Sequence, residues 1–336
     1  MGRRIIQVLI VIGVSVLVGL LVLVGFFGWA SSASYPRDRY AELVTFNNKA
    51  PAILSNEATI VTYNIGYLSG LTNNQAVQRD AELFTQNLQT VLTALSRVQP
   101  DIIGLQEIDI ASRRSFGVNQ VTALAEGLSL TMGAIAINWD KRYVPFPYFP
   151  PSAHFGRVVS GQAILSRYPI QTHERVVLES VPTHPFWYRA FYLDRLAQVS
   201  QIQLGNQPIV VINVHLEAFD QATRLRQTQT VQQLYDHYAK TYPVLLLGDF
   251  NSDPPQSTGH PSTLPPLLAI PHLQSVLPLA TDAPHPLTFP SDRPTALLDY
   301  IFYAADRWEL LEARVLTEAG QASDHLPVMA RLRLRQ

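Results

Sequence analysis

The sequence contains carboxylates, imidazoles and side-chain amides that stand directly after short apolar runs or inside them. These residues are Asn64, Glu107, His215, Asp249, Asn251, Asp299, Asp324 and His325. Carboxylate and amide oxygens suit a hard cation such as Mg²⁺, which needs only one or two carboxylates when substrate phosphate oxygens complete its coordination. Imidazoles that are paired with carboxylates can activate water or stabilise charge on a phosphate. The set therefore predicts metal-assisted hydrolysis of a phosphoester.

Each of these residues also has a simpler interpretation when it is considered alone. A single Asp at the end of a strand more often caps a helix or closes a turn than binds a metal. A single half-buried histidine such as His215 is usually a structural residue with its hydrogen bonds satisfied. Asp299 is harder to explain in this way, because it lies between Leu298 and Tyr300 and a half-buried carboxylate needs a partner. The functional interpretation depends on the whole set.

The apolar pattern predicts the elements that must position these side chains. Short apolar runs predict buried strands, and longer stretches with helical spacing or without Gly and Pro predict helices on the sheet faces. The predicted strands cover residues 59–63, 101–105, 208–214, 243–247, 297–302, 310–316 and 328–334, and the predicted helices cover 84–98 and 222–240. Ligand and catalytic groups gather where strands end in loops. The fold class predicted from the pattern is a layered α/β domain with mixed sheets.

An apolar segment without charged residues runs from Ile5 to Ala30. As a helix with a rise of about 1.5 Å per residue, it is long enough to cross a hydrocarbon core of about 30 Å. We therefore predict a basic tail (1–4), a transmembrane anchor (5–30), a polar linker (31–56) and a catalytic domain (57–336). A cleaved signal peptide is the alternative, since Arg3 and Arg4 resemble its basic region and Ser31-Ser32-Ala33 could be its cleavage site.

The basic residues around this segment predict its orientation. Arg3 and Arg4 lie against its first residues, whereas Arg37, Arg39 and Lys49 lie further from its other end. The positive-inside rule then places the N-terminus in the cytoplasm. The expected location is a single-pass membrane protein whose catalytic domain lies on the non-cytoplasmic side.

The composition excludes several classes of protein. Of the 336 residues, 47% are apolar and 15% are charged, with 25 Lys and Arg against 26 Asp and Glu, which excludes a disordered polyelectrolyte and a strongly basic nucleic-acid coat. The chain has no cysteine, so it has no disulfide framework, thiolate metal site or catalytic thiol. A nuclease usually presents basic surface to the phosphate backbone, and this sequence has no concentrated basic arm. Nothing in the sequence predicts an obligate protein partner.

Seven short motifs, taken together and in order, resemble the endonuclease/exonuclease/phosphatase superfamily of metal-dependent phosphoesterases. They are Thr62-Tyr-Asn64-Ile-Gly66, Leu105-Gln-Glu107, Ala163-Ile-Leu-Ser-Arg167-Tyr-Pro169, Asn213-Val-His215-Leu216, Leu247-Gly-Asp249-Phe-Asn251-Ser252, Leu298-Asp299-Tyr300-Ile301 and Ser323-Asp324-His325-Leu-Pro327. The resemblance covers nearly all of residues 57–336. It implies a four-layer α/β/β/α sandwich, in which two mixed β-sheets lie face to face with helices on both outer sides.

The resemblance also implies roles for the polar residues. Glu107 would be the principal ligand of Mg²⁺, or of Mn²⁺ as a substitute, with Asn64 and Asp324 nearby. Asp299 would orient His325 near the attacking water and the scissile phosphate.

The remaining implied roles concern the nucleophile and the phosphate. Asp249 and Asn251 would position or activate the nucleophile, or bind a second cation, and His215 would donate to a phosphate oxygen. Gln162 stands where many relatives have Asn, and its amide is a candidate substrate contact.

Two aromatic-rich stretches, 143–155 and 184–192, are unusual features of this sequence. One interpretation is a substrate rim or a membrane-facing loop, because aromatic rings stack on bases and also suit the lipid interface. The alternative is core packing by the second stretch and a rigid surface loop from the first. Candidate contacts to a phosphate or headgroup near these stretches are His154, Arg157 and Arg189.

Two classes of function stay open. The first is a membrane-anchored, Mg²⁺-dependent phosphodiesterase that uses in-line attack by an activated water, with a non-specific endonuclease as an alternative. Its partners would be a phosphoester substrate, either a phospholipid headgroup or a nucleic acid, and the lipid bilayer through the N-terminal helix. The second is a catalytically silent module that binds a phosphorylated ligand on the same fold. Retention of both imidazoles and all four carboxylates favours the enzyme.

Overall fold

The computed structural model describes residues 2–46, 55–255, 262–279 and 286–335. The six helices of this part of the chain are α1 (Gly2–Ser31), α2 (Ala81–Val98), α3 (Gln120–Gly127), α4 (Phe186–Arg189), α5 (Gln221–Ala239) and α6 (Pro265–Leu268). The thirteen strands within the same residues are β1 (Ala41–Thr45), β2 (Glu57–Asn64), β3 (Ile102–Asp109), β4 (Met132–Val144), β5 (Gly156–Ser166), β6 (Ile170–Val177), β7 (Leu196–Leu204), β8 (Gln207–His215), β9 (Val244–Asp249), β10 (Leu273–Ser275), β11 (Asp299–Ala304), β12 (Trp308–Val315) and β13 (Val328–Leu334).

The strands form two mixed sheets. The first has the order β1-β4-β5-β3-β2-β13-β12, and the second has the order β10-β11-β9-β8-β7-β6. Within each sheet one central pair is parallel, β2 with β3 and β8 with β9. The carboxyl ends of these parallel pairs are where the sequence places Asn64, His215 and Asp249.

The alternation of side chains along the strands separates two apolar layers. On β2, Ile60 belongs to a core between the two sheets that also contains Leu245 of β9, whereas its neighbour Val61 belongs to a core shared with Val91 of α2 and Leu124 of α3. Successive residues of a strand point to opposite faces, so both faces of this sheet are covered. The predicted four-layer α/β/β/α sandwich is confirmed, as are all the strands and helices predicted from the apolar pattern.

Capping residues explain where the two long helices of the domain, α2 and α5, begin. The carboxylate of Asp80 accepts a hydrogen bond from the backbone N–H of Leu83 and caps α2, and Asp220 caps α5 through Thr223 in the same way. Such caps satisfy backbone donors that a helix leaves unpaired at its first turn.

The segment expected as a linker over residues 31–56 is partly ordered on the domain. Residues 41–45 form β1, which pairs antiparallel with β4 at the edge of the first sheet. Before it, the backbone N–H groups of Ser34 and Tyr35 donate to the carboxylate of Asp140 at 2.8 and 2.9 Å. This strand was not predicted from the sequence, because β1 is short and its side chains alternate between exposed and half-buried. Residues 47–54 of the predicted linker, which include Lys49, lie outside the described residues.

α1 is long and apolar enough to cross a membrane, by its length and composition alone. Its residues before Phe26 are all exposed, and Ala30 in its last turn is buried. It covers the predicted segment 5–30 and extends it slightly at both ends.

Candidate active site

The sheet register brings three of the predicted site residues side by side. His215 at the end of β8 is directly opposite Asp249 at the end of β9, and Asp249 is directly opposite Asp299 at the start of β11. Gly248 permits this arrangement, because its φ is +136° and a Cβ there would lie 2.0 Å from the carbonyl oxygen of Val214. The row of polar side chains is therefore a direct product of strand pairing.

Asp299 and His325 form a buried carboxylate-imidazole pair. The Nδ1 of His325 lies 2.8 Å from Oδ2 of Asp299, and its Nε2 lies 3.8 Å from Oδ2 of Asp249. Burial alone would lower the pKa of His325, but the charges of Asp299 and Asp249 outweigh burial and raise it well above its usual range. The raised pKa favours the protonated form of His325, in which the Nδ1–H donates to Asp299.

The same three residues could instead hold a cation when the His325 ring is neutral, because a protonated imidazole has no lone pair for a metal. Ligand atoms of Asp249, Asp299 and His325 lie within 4.8 Å of one another. Within the described part of the chain, Oδ1 of Asp299 is buried and has no hydrogen-bond partner. Burial raises the pKa of the Asp249 carboxyl to about 7, although the charge of His325 opposes this shift and that of Asp299 adds to it.

Glu107 and Asp324 form a second acidic group at the cleft. The amide nitrogen of Asn73 lies between them, 2.9 Å from Oε2 of Glu107 and 3.3 Å from both carboxylate oxygens of Asp324. Burial raises the pKa of Glu107, and the charge of Asp324 raises it further. Two carboxylates that contact the same amide nitrogen favour a positive charge between them. Oxygen donors are those that Mg²⁺ and Mn²⁺ prefer. The donor set fits a hard divalent cation.

Asn64 and Asn251 both contact Asp249. The amide of Asn64 donates to Oδ2 of Asp249 at 2.9 Å, and its own Oδ1 accepts from the backbone N–H of Gly66 at 3.1 Å. The backbone N–H of Asn251 donates to Oδ1 of Asp249 at 2.9 Å. The structure thus places Asn64 as a partner of Asp249, whereas the sequence predicted it beside the Glu107 metal site.

The Nε2 of His215, the predicted donor to a phosphate, lies 3.5 Å from Oδ2 of Asp249 and 3.8 Å from Oε1 of Glu107, and it also contacts Arg195. Its Nε2 accepts a hydrogen bond from Nη1 of Arg195 at 2.6 Å, so that nitrogen carries no proton to donate to a phosphate. Burial, Arg195 and His325 all lower the pKa of His215 well below its usual range. Arg195 itself lines the cleft and is paired with the buried carboxylate of Glu217. The cationic donor at this position is therefore Arg195.

These groups open into one cleft of about 880 Å³. Its polar floor contains Glu107, Asn73, Arg195, His215, Asp249, Asn251, Asp324 and His325. Its walls are largely aromatic and include Phe27 of α1, Tyr148, Trp187, Tyr188, Phe191, Tyr192 and Phe219. Both aromatic-rich stretches contribute to these walls. A polar floor under apolar walls is typical of a ligand-binding cleft.

The structure does not bring the four predicted substrate contacts to this cleft. Gln162 is fully buried and donates to the backbone carbonyl of Asn213 at 3.1 Å. His154 lines a separate pocket of about 310 Å³, where its Nδ1 lies 2.7 Å from the hydroxyl of Tyr143. Arg157 donates to the carbonyl of Ala111, and Arg189 is exposed at the end of α4.

Two residues of the cleft, Asn73 and Arg195, were missed by sequence reasoning. Asn73 follows a helical turn after β2 and carries no local signal that separates it from an ordinary loop asparagine. Arg195 directly precedes β7. The first residue of β7, Leu196, lies opposite His215 of β8, and this alignment places Arg195 against His215. A polar residue just before a strand is a weak sequence signal of a functional site. The role of Arg195 becomes visible only when the pairing of β7 with β8 is known.

Comparison with known proteins identifies the family and the fold of this chain. The sequence pattern of the Endonuclease/Exonuclease/phosphatase family matches residues 61–325. A UPF0294 protein of Vibrio cholerae serotype O1 is 34% identical to this chain over 149 residues. The matched segment is 44% of this chain and 47% of that protein. The chain therefore spans about half the length of the curated relatives it matches.

Among solved structures, the human Nocturnin catalytic domain with bound sulfate superposes with a TM-score of 0.59 at 18% identity and covers 90% of this chain and all of that one. TDP2 of D. rerio in complex with a single-strand DNA product superposes with a TM-score of 0.56 at 15% identity, over 82% of this chain and 99% of that one. At these identities the likeness shows the fold alone.

Proposed function

This chain belongs to the endonuclease/exonuclease/phosphatase family, and we propose that it is a membrane-anchored, Mg²⁺-dependent phosphodiesterase. Members of the family hydrolyse phosphoester bonds. The observation that carries the proposal is the convergence of two groups in one cleft, the Glu107 and Asp324 carboxylates and the Asp299–His325 pair with its 2.8 Å contact. Mn²⁺ has similar ligand preferences and is expected to substitute.

The proposed roles follow from the chemistry of each group. Glu107 and Asp324 would hold the divalent cation, which when bound supplies positive charge to a phosphate oxygen. His325 is held in one orientation by Asp299, which also raises its pKa, so its protonated form would stabilise negative charge that develops on the phosphate. Asp249 carries a carboxyl whose pKa is raised by burial, and it would accept the proton of the attacking water. The new P–O bond forms from that water as the opposite P–O bond breaks.

Arg195 completes the positive side of the cleft. Its guanidinium is buried and held by Glu217 and by the hydroxyl of Tyr192, so its direction is fixed before substrate arrives. A preorganised donor of this kind stabilises charge on a phosphate without reorganisation during the reaction. Asn64 and Asn251 hold the carboxylate of Asp249 in place.

An endonuclease is the second candidate within the enzyme class. The D. rerio TDP2 complex contains a DNA product in the same fold, and aromatic walls can stack on bases. The formal net charge of −1 does not provide the basic surface that usually meets a nucleic-acid backbone. We therefore propose a small or headgroup-sized phosphodiester, rather than nucleic acid, as the substrate.

The test is hydrolysis by the full chain in detergent, with Mg²⁺ or with chelator. Chromogenic phosphodiesters, DNA, RNA, sphingomyelin and phosphatidylinositol species would serve as substrates. We expect turnover with Mg²⁺, its loss in chelator, and recovery when metal is restored.

The variant Glu107→Gln tests the metal site within the same experiment. It should keep the shape of the site but lower Mg²⁺ affinity and activity at least about tenfold, because the amide lacks the anionic charge. Glu312→Gln, an exposed change on β12, is the matched control and should behave as the parent chain does. Activity that survives unchanged in chelator would reject the metal mechanism, and saturable binding of phosphodiesters without turnover would favour the silent binding module.

A further inference from the structure

The last turns of α1 are part of the domain surface. Phe27 packs edge to face on Phe191, with ring centroids 5.4 Å apart, and also contacts Phe186. Trp29 stacks on Tyr143 of β4 with centroids 6.5 Å apart. Phe27 also lines the cleft. The end of the proposed membrane anchor and the wall of the active site are therefore one structure.

The chain just after α1 is fixed to the same region. The backbone N–H of Arg142 donates to the carbonyl of Ser32 at 3.0 Å, and the Arg142 side chain contacts the Ser32 hydroxyl. Two residues later Ser34 is held by Asp140 through its backbone N–H and its hydroxyl. No flexible spacer separates the anchor from the cleft, so a bilayer crossed by α1 would begin close to the mouth of the cleft.

Large apolar side chains are exposed around that mouth. Tyr148 is 67% exposed, Phe149 is 79% exposed and Phe219 is 83% exposed. With Phe186 and Trp187, which are also exposed, these residues form what we call the aromatic rim. A cluster of this kind on a soluble surface usually marks an interaction site. Aromatic rings with a polar edge are also enriched where proteins meet lipid headgroups.

The charge around the aromatic rim favours one class of lipid. The segments 141–155 and 180–193, which carry four of its five members, contain no Asp or Glu, whereas Glu179 and Asp194 flank the second segment and Asp220 follows the fifth member, Phe219. Arg142 and Arg189 are exposed within them. Basic residues next to inserted aromatics are attracted to anionic phospholipids.

We infer that the aromatic rim docks on the surface of the bilayer that α1 crosses, where it meets anionic phospholipids. This inference rests on the proposed membrane anchoring and extends it. α1 sets the distance of the cleft from the bilayer, and the aromatic rim sets the direction in which the cleft opens. Phosphoesters in the headgroup layer would then reach the polar floor without leaving the membrane surface.

The absence of cysteine allows a direct test, because a single introduced cysteine can be labelled without background. The full chain would be reconstituted in vesicles of phosphatidylcholine and phosphatidylglycerol and labelled with an environment-sensitive fluorophore at one of three positions. Phe149→Cys reports on the aromatic rim, Val11→Cys reports on the middle of α1, and Glu312→Cys is the control on β12. β12 is one edge strand of the first sheet. It lies five strand spacings of about 4.8 Å from β4, which is next to the other edge strand, β1.

Quenching of each label decides the proposal. We expect nitroxide-labelled lipid to quench the Phe149→Cys and Val11→Cys labels, and aqueous iodide alone to quench the Glu312→Cys label. Quenching of the Phe149→Cys label should fall in vesicles of pure phosphatidylcholine. If the Val11→Cys label responds to lipid nitroxide while the Phe149→Cys label responds only to iodide, anchoring stands and docking is overturned.

Two other outcomes separate this inference from its premises. A Val11→Cys label that is insensitive to lipid nitroxide would overturn both anchoring and docking. A Phe149→Cys label that single-stranded DNA shields from iodide, with no response to lipid, would assign the aromatic rim to nucleic acid and overturn the inference. Hydrolysis of a water-soluble phosphodiester by the same vesicles reports the proposed chemistry independently, because it does not require docking.

Discussion

The neighbours of the two imidazoles of the cleft shift their pKa values in opposite directions. His325 faces Asp299 and Asp249, which raise its pKa, whereas His215 faces Arg195 and lies near His325, which lower its pKa. Groups whose surroundings push their pKa values apart are typical of acid-base assignments in active sites. The surroundings thus favour a protonated His325 and a neutral His215 that accepts from the guanidinium of Arg195.

The contact between Asp299 and His325 predicts a non-additive loss of activity. If Asp299 orients His325 and balances its charge, removing either partner disables the same step. We expect Asp299→Asn and His325→Gln each to lower turnover by about a hundredfold or more, and the double variant to cost little more than the worse single one. Turnover and melting temperature of the three variants are the measurements. Losses that multiply independently, or an Asp299→Asn variant that is destabilised yet fully active, would refute the pairing.

Arg195 predicts a loss of turnover that a simple structural arginine would not cause. Arg195→Lys keeps the charge but loses the planar fork that contacts Glu217 and His215 together. We expect kcat to fall about 10²-fold, as it does when one preorganised donor is lost.

Arg114→Lys is the matched control for this prediction. Arg114 is also buried and paired with a carboxylate, Asp109, but it does not line the cleft. The Arg114→Lys variant should have a lower melting temperature with little change in kcat. Equal effects of the two variants on kcat at equal melting temperatures would show that Arg195 is only structural.

At the scale of the elements, the site depends on the pairing of β8 with β9. Gly248 sits in that pairing, and a Cβ there would meet backbone atoms of Val214 at 2.0 to 2.9 Å. We expect Gly248→Ala to lower both the free energy of unfolding and turnover, because β9 must shift and Asp249 moves with it. Gly320→Ala is the control, since its φ of +58° is also positive but nothing lies within 4 Å of the new Cβ.

The two glycine variants separate backbone strain from displacement of the strand. Gly320→Ala should cost only the strain of a backbone conformation that favours glycine (φ +58°, ψ −135°), about 1 to 3 kcal/mol, with turnover intact. Denaturant unfolding and turnover of both variants are the measurements. A Gly248→Ala variant as stable and active as Gly320→Ala would show that β9 tolerates the shift.

The elements also explain how much the sequence could predict. Buried strands leave a strong apolar signal, so the residues at their ends, such as His215 and Asp249, could be identified together with the fold. Their partners depend on register and on loops, which carry no comparable signal. The pairing of Arg195 with His215 depends on the alignment of β7 with β8, and Asn73 reaches Glu107 across a sequence separation of 34 residues. The position of Asn64 beside Asp249 likewise follows from contact between the two sheets.

For the whole molecule, the notable feature is that the N-terminal segment and the catalytic domain form one packed unit. β1 and the residues before it dock on β4, and Phe27 of α1 helps to line the cleft. Cleavage near Ser31-Ser32-Ala33 would remove Phe27 and open that wall. The packing therefore supports an uncleaved anchor over a signal peptide.

This leads to a prediction about topology. We expect residues 31–336 to lie on the non-cytoplasmic side and to stay with the membrane after high-salt washing, because α1 is uncharged from Ile5 to Ala30 and Arg3 and Arg4 precede it. A reporter that is active only in the cytoplasm, fused to the C-terminus, should stay silent. Replacing both arginines with Glu is the paired variant and should raise reporter activity, since it removes the positive charge that retains the N-terminus. Strong activity of the unchanged fusion would contradict the orientation, and release of a shortened soluble chain would show that the segment is cleaved.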